Sequence, residues 1–224
     1  MVEIVIVAEG QSEETFVRTV LAPLLAGNDV FATARCVRTS ATQAGGALSR
    51  ERVRRFLRNT LMERDDTYVT TLFDLYALDS EMPGVAESGK FQEPANKAAY
   101  IEQRMHADIV AAAGCRPERF FPHVQPHEFE ALFFSDVQAL CGLEPEWRDA
   151  ASGLQAVRDQ YENPEWINSS PQTAPSKRLS ILTPKFRKVR HGSLAASHIG
   201  LDRIRAECPH FAAWVERLLA LRPL

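Results

Sequence analysis

The sequence predicts an α/β fold: a mostly parallel sheet flanked by helices, with a helical appendage after it. Three observations predict this. Residues 4–8 (IVIVA) and 67–73 (TYVTTLF) are apolar, β-branched runs of the kind that fills strands buried on both faces. Segments with apolar side chains three and four residues apart separate such runs, an alternation that favours parallel pairing through helical crossovers. Beyond Gly142 the strand signals stop, so 1–142 is expected to form the α/β core and 143–224 a helical extension packed on it.

The first strand ends at Glu9-Gly10, and Gln11-Ser12 opens a segment with helical spacing at Phe16, Val20 and Leu24, expected as a helix over about Glu13 to Leu25. Gly27-Asn28-Asp29 makes a turn into a second strand, Val30 to Val37. Thr39 to Ala47, with Gly45-Gly46, reads as a flexible loop. Ser49 then caps a helix to about Met62 whose inner face is Val53, Phe56, Leu57 and Leu61. Its other face carries Arg50, Arg54 and Arg58, a ridge that suits either a nucleic-acid backbone or, more commonly, solvent. The strand Thr67 to Phe73 finishes at Asp74, and Ala77 to Pro94 is irregular. Asn96 is expected to cap a helix from Lys97 to Ala113, with Gly114 its stop. A short strand at Arg119 to Val124 leads to HEFEALFFSD, expected to begin one helix from His127 to Leu140. Asp149 to Tyr161, Leu201 to Glu207 and Phe211 to Leu221 complete the helices, with SSPQTAPSKRL a loop.

At 224 residues, a quarter of them charged, the chain can bury a full core and has no composition of disorder. No apolar run approaches the ~20 residues of a membrane span. The first strand also lacks the basic flank of a secretory signal, so a cytoplasmic location is expected. Cys36, Cys115, Cys141 and Cys208 are widely separated, which supports neither a zinc motif nor a disulfide framework. The net charge of −3 conceals an asymmetry: Ser176 to Leu201 contains no acid but holds Lys177, Arg178, Lys185, Arg187, Lys188 and Arg190. Such clustering suits a phosphate-bearing partner, although short basic runs are more often solvated surface.

Two buried strands thus each finish in an acid, Glu9 and Asp74, with Asp79 five residues further on. In a parallel sheet those ends share one edge, the edge where α/β proteins bind ligands. Carboxylates gathered there repel one another unless a hard divalent cation intervenes. Glu128 and Glu130, at the start of the helix that follows the short strand, belong near the same edge; both also fit the ordinary role of acids in a first helical turn.

The block VAEGQSEETF resembles the opening motif of Toprim domains, an apolar strand ending in Glu-Gly before a helix. The wider pattern, continuing in HEFEALFFSD, TAPSKRL and CPHFAAWVERL, resembles the Toprim-like domain of unknown function family DUF4276 over nearly the whole chain. The resemblance implies a Toprim-like fold and Mg2+-dependent phosphodiester chemistry, with Mn2+ as substitute, on RNA (transfer RNA included) or DNA. It further implies an effector of antiphage defence working beside an ABC-type ATPase. Glu9 matches the Glu of the first motif and Asp74 the first acid after the later strand. The family's Asp-x-Asp spacing is absent, since Asp74 is followed by Leu75, Tyr76, Ala77 and Leu78 before Asp79. The remaining metal ligand is therefore open among Asp79, Glu128 and Glu130. Lys177, Arg178 and His191 are expected to hold the substrate backbone or, for Lys177, to stabilise charge at the reacting phosphate. Nucleic acid and an ATPase are the expected partners, with no membrane; a homo-oligomer is compatible. The contrasting expectation is a non-catalytic binding or regulatory subunit in which the degraded motif leaves metal affinity too weak for turnover. A nucleotide-binding α/β protein ranks below both, because no Gly-rich phosphate loop is present.

Overall fold

Strand β1, Val2–Ala8, is flanked on both sides by parallel neighbours, which is why its residues are almost uniformly apolar. The computed structural model describes residues 1–37, 48–168 and 172–224; the expected loop Thr39 to Ala47 and positions 169–171 of the later one lie outside these. After β1 the chain forms α1 (Gln11–Phe16), a π-helical turn (Val17–Leu21) and α2 (Ala22–Ala26) as one continuous helical stretch. The π-turn has a local cause: Pro23 has no N–H to return to the carbonyl one turn back, and its ring displaces that carbonyl. Then follow β2 (Val30–Cys36), α3 (Arg50–Glu63) and β3 (Thr67–Asp74). Next come α4 (Pro94–Ala113), β4 (Phe120–Phe121) and β5 (Val124–Gln125).

The sheet order is β2-β1-β3-β4, with β5 also on β3, and every pairing is parallel. Ala8 lies opposite Cys36 and Leu72, so β1, β2 and β3 finish on one edge. β4 and β5 are one edge strand interrupted at Pro122-His123, because Val69 faces Phe120 and Phe73 faces Val124 in a single register. Pro122 cannot donate to the ladder, and the Thr71 hydroxyl fills the gap by bonding both the N–H and the carbonyl of His123.

Alternation along the strands builds two cores. Ile4, Ile6, Leu72 and Phe121 pack against Phe16, Leu21 and the C-terminal side chains Phe129, Phe133, Leu154, Leu179, Phe211 and Trp214. Val5, Val7, Val69 and Phe73 face the other way, against Val53 and Leu57 of α3 and Ile101 and Met105 of α4. Each fully buried side chain of this size contributes about 1.5–3 kcal/mol. Residues beyond 143 therefore supply one face of the sheet with its cover. Polar contacts fasten them as well, among them the Trp214 indole donating to Thr70 Oγ1 at 3.0 Å and the Tyr68 hydroxyl to the Arg222 carbonyl at 2.8 Å. α5 (Val137–Gly142) precedes that region, in which lie α6 (Ala151–Arg158), α7 (Pro175–Leu182), α8 (Lys188–Ile199), α9 (Leu201–Glu207) and α10 (Pro209–Leu219).

Three expectations are corrected. The stretch His127 to Leu140 is not one helix: Phe129–Ser135 is 3-10, and α5 starts afresh where Asp136 accepts the Ala139 N–H. α4 begins at Pro94 rather than Lys97, and Asn96 instead donates to the Glu93 carboxylate. Within SSPQTAPSKRL, Pro175 starts α7 instead of continuing a loop. The arginine ridge of α3 is the solvated face expected of it in the main: Arg50 and Arg54 are exposed while pairing with Asp108, and Arg58 donates to the Ala112 carbonyl. Among the described residues no helix is long and apolar enough to cross a membrane.

Candidate functional site

The parallel ends of β1 and β3 bring Glu9 against Asp74: the Asp74 N–H donates to Glu9 Oε2 at 3.4 Å. Glu13, one turn into α1, folds back so that its Oε2 accepts the Gly10 N–H at 3.2 Å, which fixes the turn after Glu9. Asp74 in turn accepts the Phe129 N–H at 2.7 Å. That bond holds the start of the 3-10 segment against the sheet edge and delivers Glu128 and Glu130. The Glu128 carboxylate accepts the Ser176 N–H of α7 at 2.9 Å. From the first residue of α8, Lys188 reaches Glu130 Oε2 at 3.0 Å and Glu128 Oε1 at 3.7 Å. α8 is held here because Gly192 packs on Ser12, Phe129 and Phe133.

Five carboxylates thus surround a single ammonium. Burial, reinforced by Glu13, pushes Glu9 up to about 7. Burial raises Glu130 to about 7 as well, against the pull of Lys188. Glu13 is raised by burial, and Asp74 is raised well above the carboxylate range by burial with Glu9 and Glu13 beside it. Burial works against the charge on Lys188, yet Glu130 and Glu128 hold it above the ordinary lysine range. Glu130 Oε1 is buried without a hydrogen-bond partner among the described residues. An excess of oxygen donors, one of them orphaned, fits a hard divalent cation such as Mg2+. Among the described residues, however, no three of these carboxylates bring one ligand atom each within 4.8 Å of one another, so Glu9, Asp74 and Glu130 would have to draw together to hold it.

The remaining expected site residues fall elsewhere or face other work. Asp79 Oδ1 accepts the Glu81 N–H and the Ser80 hydroxyl, closing its own turn. Lys177 is exposed on α7, next to Ser176. Arg178 donates to the Thr173 carbonyl and the Tyr161 hydroxyl, bracing the segment before α7. His191 is buried between Trp147 and Phe186, with Nδ1 accepting the Arg187 N–H and burial lowering its pKa. It lines a cavity with Glu144 and Arg190 rather than the acidic rim. Two rim residues were not singled out from sequence. Glu13 had a signal, an acid three residues after the residue that precedes the helix; Lys188 was only one of six cations in a run.

Beside Glu9, a cavity of about 730 Å3 begins at Gln11 and is lined by Cys36, Arg35, Arg52 and Arg55. At the edge strand, Glu102, His123 and His210 bring one ligand atom each within 4.8 Å of one another. There burial pushes the His123 imidazole down to about 3, whereas Glu102 holds the His210 ring above its ordinary range despite burial.

Fold and rim together define a parallel α/β protein with a carboxylate-lined site at the carboxyl ends of its strands. A family model described as Domain of unknown function (DUF4276) matches residues 8–219, and the chain belongs to that family. No curated protein and no solved structure matches it.

Proposed function

We propose that this chain is a Mg2+-dependent Toprim-like nuclease that cleaves phosphodiester bonds in RNA, transfer RNA included, or in DNA. Its setting is antiphage defence, as an effector beside an ABC-type ATPase. The observation that carries the reading is the meeting of Glu9 with Asp74, next to Glu130, one buried oxygen of which has no hydrogen-bond partner among the described residues. When bound, Mg2+, or Mn2+ in its place, would supply Lewis-acid polarisation of a phosphoryl oxygen and a water of lowered pKa. Glu9, Asp74 and Glu130 would hold the ion, while Glu13 keeps Glu9 in position through the Gly10 turn. Lys188, half-exposed beside Glu130, stabilises negative charge that develops on the substrate. Lys177 and the wall of Arg35, Arg52 and Arg55 follow the sugar-phosphate backbone by charge rather than by base reading.

The test is incubation of the protein, alone and with an ABC-type ATPase, with RNA and DNA pools and Mg2+ or Mn2+, in parallel with Glu9→Gln. Cleavage by the wild type and its loss in the variant are expected. Absence of cleavage in every combination, or equal cleavage by both proteins, contradicts the proposal.

A second reading has one observation in its favour. Lys188 already supplies a positive charge to Glu128 and Glu130, and Asp79 is engaged in its own turn. A non-catalytic binding or regulatory subunit of an ATPase complex would retain the fold on that internal neutralisation. It predicts nucleic-acid or ATPase binding that Glu9→Gln leaves unchanged, with no cleavage.

A further inference from the structure

Along the edge strand, α4 and α10 meet at a second polar cluster, remote in kind from the acidic rim because two of its three members are imidazoles. Glu102 of α4 presents Oε1 to His210 Nε2 at 2.9 Å and to His123 Nδ1 at 3.6 Å. The Val124 N–H donates to the same oxygen at 2.8 Å and aims it. His123 is almost fully buried, stacked on the Trp214 ring with centroids 4.6 Å apart.

The hydrogen-bond directions around His123 can be deduced. Glu165 accepts backbone N–H groups on both oxygens, from His210 and Phe211, so it is the acceptor for the Gln125 side-chain amide as well. The amide nitrogen of Gln125 therefore faces Glu165, and its Oε1 faces His123 Nε2 at 3.2 Å. Burial keeps the His123 ring neutral, so with the proton on Nε2 the Nδ1 atom is a bare lone pair 3.6 Å from a carboxylate oxygen. Two acceptors facing each other in a buried place repel, and a cation between them removes the repulsion. A ligating histidine whose other N–H is fixed by an amide or carboxylate partner is the usual outer arrangement of a protein metal site.

We propose that Glu102, His123 and His210 form a site for a borderline-soft divalent transition metal, of which Zn2+ is the representative. Two imidazole nitrogens and one carboxylate are donors that suit Zn2+ over Mg2+, and three protein ligands leave a fourth position open. That position faces a cavity of about 160 Å3 lined by Pro122, Ala213, Trp214 and Arg217, where water or a small anion completes the coordination. The ion would also join α4, the edge strand and α10 at one point, so that binding energy becomes folding energy.

The probes are Zn2+ and Co2+ added to the full chain after chelator treatment. One equivalent of Zn2+ is expected to bind and raise the midpoint of thermal unfolding, Mg2+ failing to do so at the same concentration. Co2+ should give the visible d–d absorption of a four- or five-coordinate site. Glu102→Gln and His210→Asn, each checked for folding by circular dichroism, should weaken binding by about 10-fold or more, whereas Glu9→Gln leaves the Co2+ spectrum unchanged. Binding by both edge variants equal to wild type overturns the proposal, as does loss of the Co2+ signal in Glu9→Gln. Because these readouts use no nucleic acid and spare the acidic rim, their failure is separable from failure of the nuclease reading.

Discussion

Lys188 Nζ lies 3.0 Å from Oε2 of Glu130, a carboxylate with only 1% of its surface exposed. The two residues are far apart in the chain, on α8 and on the 3-10 turn, and their contact closes the acidic rim from the side of the C-terminal helices. The lysine is 45% exposed, so solvent screens part of the attraction. Its removal nonetheless leaves Glu130 buried and unpaired.

Lys188→Met is therefore expected to destabilise the metal-free protein by about 1–3 kcal/mol above neutral pH, less than for a fully buried pair. In acid the loss should shrink, because Glu130 takes up a proton instead. Urea unfolding of the wild type and the variant at both pH values checks this. An equal loss at the two would contradict the pairing.

The rim carboxylates set a pH dependence with a definite sign. Glu9 and Glu130 ordinarily titrate at 4.5 and are raised to about 7 in the fold. The folded state thus binds protons that the unfolded chain has released, and this stability is full below pH 4.5 and lost as the pH rises through about 7. Without metal, unfolding midpoints of the wild type relative to the Glu9→Gln/Glu130→Gln double variant should fall across that window. Excess Mg2+ should reduce the fall. A difference that is flat, or that rises with pH, refutes the assignment.

Asp74 separates stability from function. Asp74→Asn keeps an oxygen for the Phe129 N–H while removing a carboxyl whose ionised form burial, Glu9 and Glu13 all oppose, so unfolding stability should be unchanged or higher as divalent-cation affinity falls. Asp74→Ala leaves that buried N–H without its acceptor and should lose about 1–3 kcal/mol. Denaturation of the two variants side by side decides it: a stability loss in Asp74→Asn as large as in Asp74→Ala counts against the crowding argument.

Gly192 tests how α8 is seated. A Cβ there would stand 3.6 Å from Phe133 and 3.7 Å from Phe129, ordinary contact distances. Gly192→Ala is accordingly expected to stabilise by about 0.5–1 kcal/mol through helix propensity, whereas Gly192→Leu should push α8 from α1 and lower the thermal midpoint. Destabilisation by alanine would show that the helices sit closer than described.

Much of this arrangement was legible in the chain. β1 and β3 announced themselves because strands covered on both faces need uninterrupted apolar runs, and Leu201 to Glu207 was bounded correctly by Gly200 and Cys208-Pro209. The break of the HEFEALFFSD helix was not legible. The extended backbone at Asp136 makes the break, and the Asp74 bond to the Phe129 N–H with the left-handed backbone at His127 sets where the 3-10 segment begins. Glu9 and Asp74 were found at the rim because parallel strands share an edge. Lys188 was hidden among neighbours of the same charge, and only the packing of α8 on α1 selects it. The His123 and His210 pairing joins residues from opposite ends of the second half, with a spacing that no local pattern encodes.

The proposed function requires divalent-cation binding at the rim. Calorimetric titration of Mn2+ into chelator-treated protein near neutral pH, with the imidazole cluster first saturated by Zn2+, measures it directly. Saturable binding by the wild type that drops at least about 10-fold in Glu9→Gln is the expected result. Titration curves that coincide for the two proteins, or heats no larger than dilution in both, would contradict it.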